Sequence, residues 1–463
     1  MTEKKALKAG IGYTVGNILI KGIGFLTLPL FSRIMTTDDF GTFSVFISFD
    51  SILFVIIGMA LHSSVRNANI TFENKIDEYV SSVSIIYIIN LFIILSVVFL
   101  FGNTLSKLLG LPFVLLVLLV IHSFCSALLT LYNTRISIDY SYLRYLVVAL
   151  FNSLGNVGLS LLFIFTVCKN NAVLGRVSGV TVTVLLVTVY ILIYFYKRAL
   201  PKPVKKYWVF GIKYSLPIIP HGISQVLLAQ FDRIMINSMV SAASAGIYSL
   251  AGNLKIILTV VSDSVSVAWT TWFYEKAKVD EIKEINKRAT FLAFLFLGFA
   301  IILCGISPEL IFILGGAAYA EGKYVAIPMI VDAYVLFLYN IIVPSEYYKE
   351  KTIYIMIGTF FAAVVNIITN YIFIGKYGYI AAAYTTLFSY MCYLILHICI
   401  SRKVFGAFVI KLPYIFLLLF ILCAVAAFDL FFVDRIVIRY VLISVACIPV
   451  GFMLLREYKK KGK

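Results

Sequence analysis

The chain has 463 residues, of which 62% are hydrophobic and 13% charged, with 39 Lys and Arg against 22 Asp and Glu. A soluble domain carries about 45–50% apolar and about 25% charged residues, so this much apolar surface has nowhere to hide in water. The formal charge of +17 does not point to nucleic acid, because the basic residues fall in short caps between apolar runs rather than on one soluble domain.

Apolar runs of about 20 residues, the length that crosses a bilayer as a helix, recur along the whole chain. They predict an all-α integral membrane protein with about fourteen transmembrane helices. The first half gives spans near residues 10–34, 41–65, 79–101, 111–132, 142–167 and 173–196. The second half gives spans near 211–239, 246–268, 289–314, 324–342, 353–374, 379–400, 413–431 and 437–455. The basic start, Lys4, Lys5 and Lys8, leads into an apolar stretch too long for a cleavable signal, so the first helix is expected to stay.

With the N-terminus placed inside, the cytoplasmic segments collect most of the Lys and Arg, which predicts that both termini are cytoplasmic. The strongest cytoplasmic patches are Lys197/Arg198/Lys202/Lys205/Lys206, Lys276/Lys278/Lys283/Lys287/Arg288 and the tail Arg456/Lys459/Lys460/Lys461/Lys463. They read as anchors on anionic lipid.

Pro201-Lys202-Pro203 separates two blocks of six spans that open alike. GIGYT (Gly10 to Thr14), Arg33-Ile34-Met35 and FGTFS (Phe40 to Ser44) are echoed by GIKYS (Gly211 to Ser215), Arg233-Ile234-Met235 and AGIYS (Ala245 to Ser249). The expected organisation is a six-helix lobe over 1–200, a second over 201–402, and two extra helices with a basic tail over 403–463. Six is an even number, so both copies enter the membrane from one side and should be related by a pseudo-twofold axis along its normal, around a central cavity.

Ionisable residues inside spans are costly and are the first place to look for a site. Asn17 and Lys21 share a face of helix 1, Ser44, Ser48, Ser51 and His62 one of helix 2 with Asp50 beside them. His221, Gln225 and Asp232 do so on helix 7, and Lys255, Thr259, Ser262 and Ser266 on helix 8 with Asp263 adjoining. The repeat aligns Asp50 with Lys255, so the copies are related in shape but not in charge. Lys21 and Lys255 read as anion-recognising groups or as snorkelling, ion-paired lysines. Asp50, Asp232, Asp263 and Asp332 read as coupling-ion sites or as interhelical salt bridges. Arg33, Asp232 and Arg233 lie near external helix ends, Arg144 and Arg176 near span ends, and Arg66 and Lys213 at the cytoplasmic mouth. Pro217 and Pro220 interrupt helix 7 and predict a kink, either a gate or static packing. The four single histidines, His62, His122, His221 and His397, read as satisfied core or interface residues rather than as titrating switches.

The seven cysteines are scattered without metal-ligand spacing. No metal and no cofactor is predicted, and the absence of HExxH, P-loop and GxSxG patterns predicts that the chain is not an enzyme. Asp38-Asp39 reads as a helix cap.

The proline-bearing first helix, Arg33-Ile34-Met35, Phe40-Gly41-Thr42-Phe43-Ser44 and the stretch FDRIMINSMVSAASAGIYSLAGNLK (Phe231 to Lys255) resemble polysaccharide flippases of the Wzx type. These belong to the multidrug/oligosaccharidyl-lipid/polysaccharide exporter superfamily. The resemblance implies two six-helix lobes that move an undecaprenyl-diphosphate-linked oligosaccharide, of O-antigen, capsule or another surface polysaccharide, to the outer leaflet of the bacterial cytoplasmic (inner) membrane. It implies a cationic cavity in which Lys21 and Lys255, with Arg144, Arg176 and Lys213, contact the headgroup. H+ or Na+ coupling, a monomer, and a polysaccharide polymerase and chain-length regulator as partners are further expectations. Lipid II flippases and multidrug or cation antiporters of the superfamily are the nearest alternatives, and a membrane-embedded glycan polymerase is a more distant one.

Overall fold

The computed structural model describes the backbone of residues 3–461 and the side chains of residues 10, 12–448 and 451. The side chains of Lys4, Lys5, Lys8 and of the basic tail from Arg456 to Lys463 lie outside the described residues. Among the described residues, regular structure is helical throughout.

The chain runs through α1 (Glu3–Ile34), α2 (Thr37–Gly58), α3 (Val65–Thr71), α4 (Ile76–Leu109), α5 (Phe113–Ile138), α6 (Tyr142–Phe165), α7 (Ala172–Arg198), α8 (Lys205–Ser215) and α9 (Ile218–Met239). It continues through α10 (Ala242–Gly252), α11 (Lys255–Lys278), α12 (Ile282–Gly315), α13 (Lys323–Ile342), α14 (Pro344–Tyr348), α15 (Thr352–Tyr377), α16 (Ile380–Phe405), α17 (Leu412–Phe431) and α18 (Ile436–Lys461). Among the described residues, twelve helices are long and apolar enough to cross a membrane, and Ile436–Ile448 in α18 is a shorter apolar helix. The protein is therefore a multi-pass membrane protein. The remaining span read from the sequence, α9, is long enough but carries His221, Gln225, Gln230, Asp232, Arg233 and Asn237, which lower its hydropathy.

Two expected spans are broken rather than continuous. The span over 211–239 divides into α8 and α9 at Leu216 and Pro217, because proline cannot donate the backbone hydrogen bond that would continue the ladder. Pro220 then falls in the first turn of α9, where a missing N–H costs little. The span over 246–268 divides into α10 and α11 at Asn253 and Leu254, so Lys255 opens α11 instead of lying mid-helix.

The chain forms two compact units, Met1–Gly246 and Ile247–Lys463. In the first, glycines bring helices to close range. A methyl group at Gly12 would fall 2.3 Å from the Tyr142 ring, and one at Gly179 would fall 2.4 Å from the Ser160 backbone, so α1 against α6 and α6 against α7 both need a bare backbone there. Gly41 and Gly246, equivalent positions in FGTFS and AGIYS, meet where α2 crosses the start of α10. A methyl at Gly41 would lie 1.8 Å from the Ala242 carbonyl oxygen, and one at Gly246 would lie 2.2 Å from that of Thr37. Thr36 and Asp39 close a capping box at the start of α2, and the Asp38 carboxylate accepts the Ala243 backbone N–H at 3.1 Å. The cap expected of Asp38 and Asp39 is thus two caps, one on each helix.

In the second unit α13 is the central helix, buried along nearly its whole length and packed by α11, α12, α16 and α17. α17 and α18 pack on α12, where the buried Arg439 donates to the Glu309 carboxylate and to the Gly305 carbonyl. That pairing satisfies a guanidinium that could not otherwise lie in hydrocarbon.

Candidate functional site

The geometry of the site begins with the end of α2. Met59 and Ala60 both take left-handed backbone conformations, with φ of 46° and 50°, which side chains with a Cβ seldom adopt. This turn stops α2 at Gly58 and starts the 3-10 segment Leu61–Ser64, which swings His62 back beside the helix it has just left. A cavity of about 460 Å³ opens there, lined by Asp50, Ser51, Gly58 and His62 from this segment and by His221 and Gln225 of α9. The polar faces read on helices 2 and 7 thus share one cavity inside the first unit.

Asp50 is held from behind by α5. Its Oδ1 accepts the Ser123 hydroxyl at 2.7 Å and lies 2.9 Å from Nδ1 of His122, both partners being largely buried. Phe46, fully buried, meets the His122 ring edge-on at 5.8 Å. The cluster is acidic at the cavity wall and basic one layer deeper.

Other expected site residues separate by environment. Lys255 lies 3.5 Å from Asp332, joining α11 to the buried centre of α13. Arg176 is enclosed at the start of α7. It donates to the Asn156 carbonyl at 3.1 Å and the Ser160 hydroxyl at 2.9 Å, with its guanidinium 3.6 Å from the Phe31 ring centre and 5.0 Å from that of Phe43. Arg144 is exposed and donates to the Tyr194 hydroxyl at 3.3 Å. Lys21 on α1, Lys213 in the last turn of α8 and Asp263 on α11 are exposed, whereas Asp232 on α9 is buried. Arg233 donates to Gln230 at 2.7 Å and to the Ala229 carbonyl, within its own helix. Pro217 and Pro220 are exposed at the α8–α9 break.

Part of the expected polar faces is satisfied locally. The hydroxyls of Ser44, Ser48 and Ser51 donate to carbonyls one turn earlier in α2, and Asn17 accepts from Tyr145. The residues missed by sequence reasoning are His122 and Ser123, which sit in an apolar run with no periodic signal. His397 is a core residue as expected, fully enclosed and 2.8 Å from the equally enclosed Glu346, but that partner was missed. So was the chain of hydrogen bonds linking Asn366, Asn370, Thr385 and Thr386 between α15 and α16.

A multi-pass helical bundle of this topology, with ionisable side chains drawn onto an internal cavity, has the fold of the multidrug/oligosaccharidyl-lipid/polysaccharide exporter superfamily. A structure described as lipid II flippase MurJ in an inward closed conformation matches with a TM-score of 0.76 at 15% identity, over 97% of this chain and 99% of that one. An inward-facing multidrug resistance MATE family transporter of the MOP superfamily matches with a TM-score of 0.69 at 12% identity, over 86% and 98%. The chain belongs to the polysaccharide biosynthesis protein family, whose sequence model matches residues 6–273. It is also 24% identical over 371 residues to Lsg locus putative protein 1 of Haemophilus influenzae, covering 75% of this chain and 86% of that protein.

Proposed function

We propose that this protein is a flippase that carries an undecaprenyl-diphosphate-linked oligosaccharide from the cytoplasmic to the external leaflet of a bacterial inner membrane by alternating access, with both termini cytoplasmic. The observation that supports this best is the cavity that Asp50, His62 and His221 share with apolar neighbours, an opening with ionisable groups inside a helix bundle of a polysaccharide biosynthesis family, although none of the Lys and Arg named below lines it. A diphosphate headgroup cannot enter hydrocarbon alone, whereas its lipid tail needs no protein path. Cationic groups replace part of the headgroup's hydration. Lys21, Lys255, Arg144, Arg176 and Lys213 are the proposed headgroup contacts, and Asp50, Asp232, Arg233, Asp263, Asp332, Pro217 and Pro220 the proposed coupling or gating residues. With the inside negative, moving each negative charge outward is favoured by about 2.3 kcal/mol per 100 mV, so the return of the empty carrier is the step that needs a coupling ion, H+ or Na+. The repeat division at 1–200, 201–402 and 403–463 is retained as the proposed ancestry of the chain.

The test is deletion of the protein followed by measurement of which leaflet holds the lipid-linked oligosaccharide. Accumulation in the inner leaflet, reversed by the wild-type chain, is the expected result. An unchanged leaflet distribution overturns the reading. A block confined to lipid II, with other lipid-linked glycans still exported, reassigns the substrate.

A further inference from the structure

The repeat extends further than the two motifs that reveal it. Asp50 lies nine residues after the motif glycine Gly41, and Lys255 nine residues after Gly246. His122 is the tenth residue of α5, and Asp332 the tenth of α13. Asp50 pairs with His122, and Lys255 pairs with Asp332. The same helix-to-helix contact is therefore built twice, with an acid joined to a base each time, but with the polarity reversed and with an imidazole in place of an ammonium in the first copy.

We propose that Asp50 and His122 form a proton-binding dyad that controls the affinity of the first unit's cavity for an anionic lipid headgroup. This rests on the transport reading above. The Lys255–Asp332 pair joins an ammonium to a carboxylate, so its two charges cancel. Its counterpart is not fixed. With a neutral imidazole the dyad carries one negative charge on Asp50, at the wall of the cavity. When a proton enters from cavity water through Asp50 and is held by the pair, it becomes carboxylate and imidazolium joined by the 2.9 Å hydrogen bond, and its net charge is zero. The Ser123 hydroxyl, donating to the same oxygen, holds the carboxylate in place in both states. An anionic headgroup meets one negative charge fewer in the protonated state.

Two other imidazoles line the same cavity, and what they add to the pH ratio is common to the wild type and the variants. His62 and His221 face the cavity without touching Asp50 within ion-pair range, and Cys125 of α5 is buried. On α7, Arg176 is occupied by Phe31, Phe43, Asn156 and Ser160. Arg66 of α3, Arg144 of α6 and Lys21 of α1 are exposed, and the Tyr87 hydroxyl of α4 lies against Gly58.

The experiment measures binding of undecaprenyl diphosphate to the full chain in nanodiscs at pH 6 and pH 8. The wild type should bind at least about fivefold more tightly at pH 6, the lower end of ordinary coupling between two sites. His122→Asn should show a smaller pH ratio than the wild type, binding more weakly than it at pH 6. The double variant Asp50→Lys/His122→Asp, which copies the second unit's pair and preserves the helix contact, should bind tightly at both. The probe's own phosphate ionisation is common to all three proteins. A wild-type pH ratio retained in His122→Asn, or in the double variant, overturns the dyad. Proton counting between pH 8 and pH 6 without the probe separates this from failure of the transport reading. The wild type should take up about one proton more than His122→Asn whether or not the probe binds, and equal uptake overturns the dyad. Absence of probe binding with that extra proton present overturns the headgroup assignment instead.

Discussion

The contact between α2 and α5 and the contact between α11 and α13 differ in burial as much as in polarity. Asp50 and His122 keep 13% and 12% of their side-chain surface, with Asp50 on a cavity, whereas in the second pair the exposure is split, Lys255 keeping 23% and Asp332, on the central helix of its unit, 2%. Removing one partner has different consequences in the two places. A carboxylate with a hydroxyl donor on a cavity wall tolerates the loss of its base better than one that is 2% exposed on a central helix. The two carboxylates therefore differ in access to solvent, Asp50 standing on a cavity wall and Asp332 inside its unit.

That contrast can be broken experimentally, beginning with the largest effect. Lys255→Met should destabilise the protein by about 3 kcal/mol, because it leaves Asp332 buried without its ammonium, while Asp50→Asn, which keeps the hydrogen-bonding shape, should cost about 1 kcal/mol. Thermal unfolding of the purified variants checks the order, and equal losses would show that the two contacts do the same work. Gly358→Ala should cost about 1–3 kcal/mol. Its methyl would fall 2.3 Å from Nε2 of His397, the partner of Glu346, and a fully packed neighbourhood has little room to yield. An equivalent loss is not expected at Gly222, which faces the cavity wall with its nearest neighbour at 3.7 Å. Comparing Gly358→Ala with Gly222→Ala in the same assay sharpens the distinction between enclosed and open sites.

The smallest effect lies where the first residue of α13 meets the turn between α17 and α18. The Lys323 ammonium beside Asp434 holds that exposed carboxyl below the ordinary carboxylate range. A folded pKa lower than the unfolded one adds stability above the unfolded value, near 4, which is lost as pH falls through the folded value. Lys323→Ala should therefore leave the acid limb of the stability profile shallower below about pH 4 and change little at pH 7, because an exposed pair is well screened. A titration of melting temperature against pH checks it.

Much of the fold was legible because the bilayer imposes its own length scale. Apolar runs such as Leu412–Phe431 and Ile76–Leu109 need no partner to be read as helices. The breaks near Pro217 and Asn253 were less legible: a proline announces a kink without saying that the helix stops, and the Gly252-Asn253 step sits in a run that remains apolar on average. The site was legible in halves. Asp50, His62, His221 and Gln225 were readable as polar residues on helix faces, but His122 looked like one more core residue, since nothing local distinguishes a histidine that meets a carboxylate from one that meets a carbonyl.

The sequence by itself determined that the chain lives in a membrane, and it offers two like openings in which Asp50 and Lys255 stand nine residues after Gly41 and Gly246 with opposite charge. Each follows from hydropathy or spacing along one strand of text. Only the tertiary structure decided which partner each charge meets. Asp50 and His122 are 72 residues apart in the chain and 2.9 Å apart in space. Pairing across helices depends on rotation and crossing, fixed here by close approaches such as Gly41 against Gly246, and no local pattern encodes it.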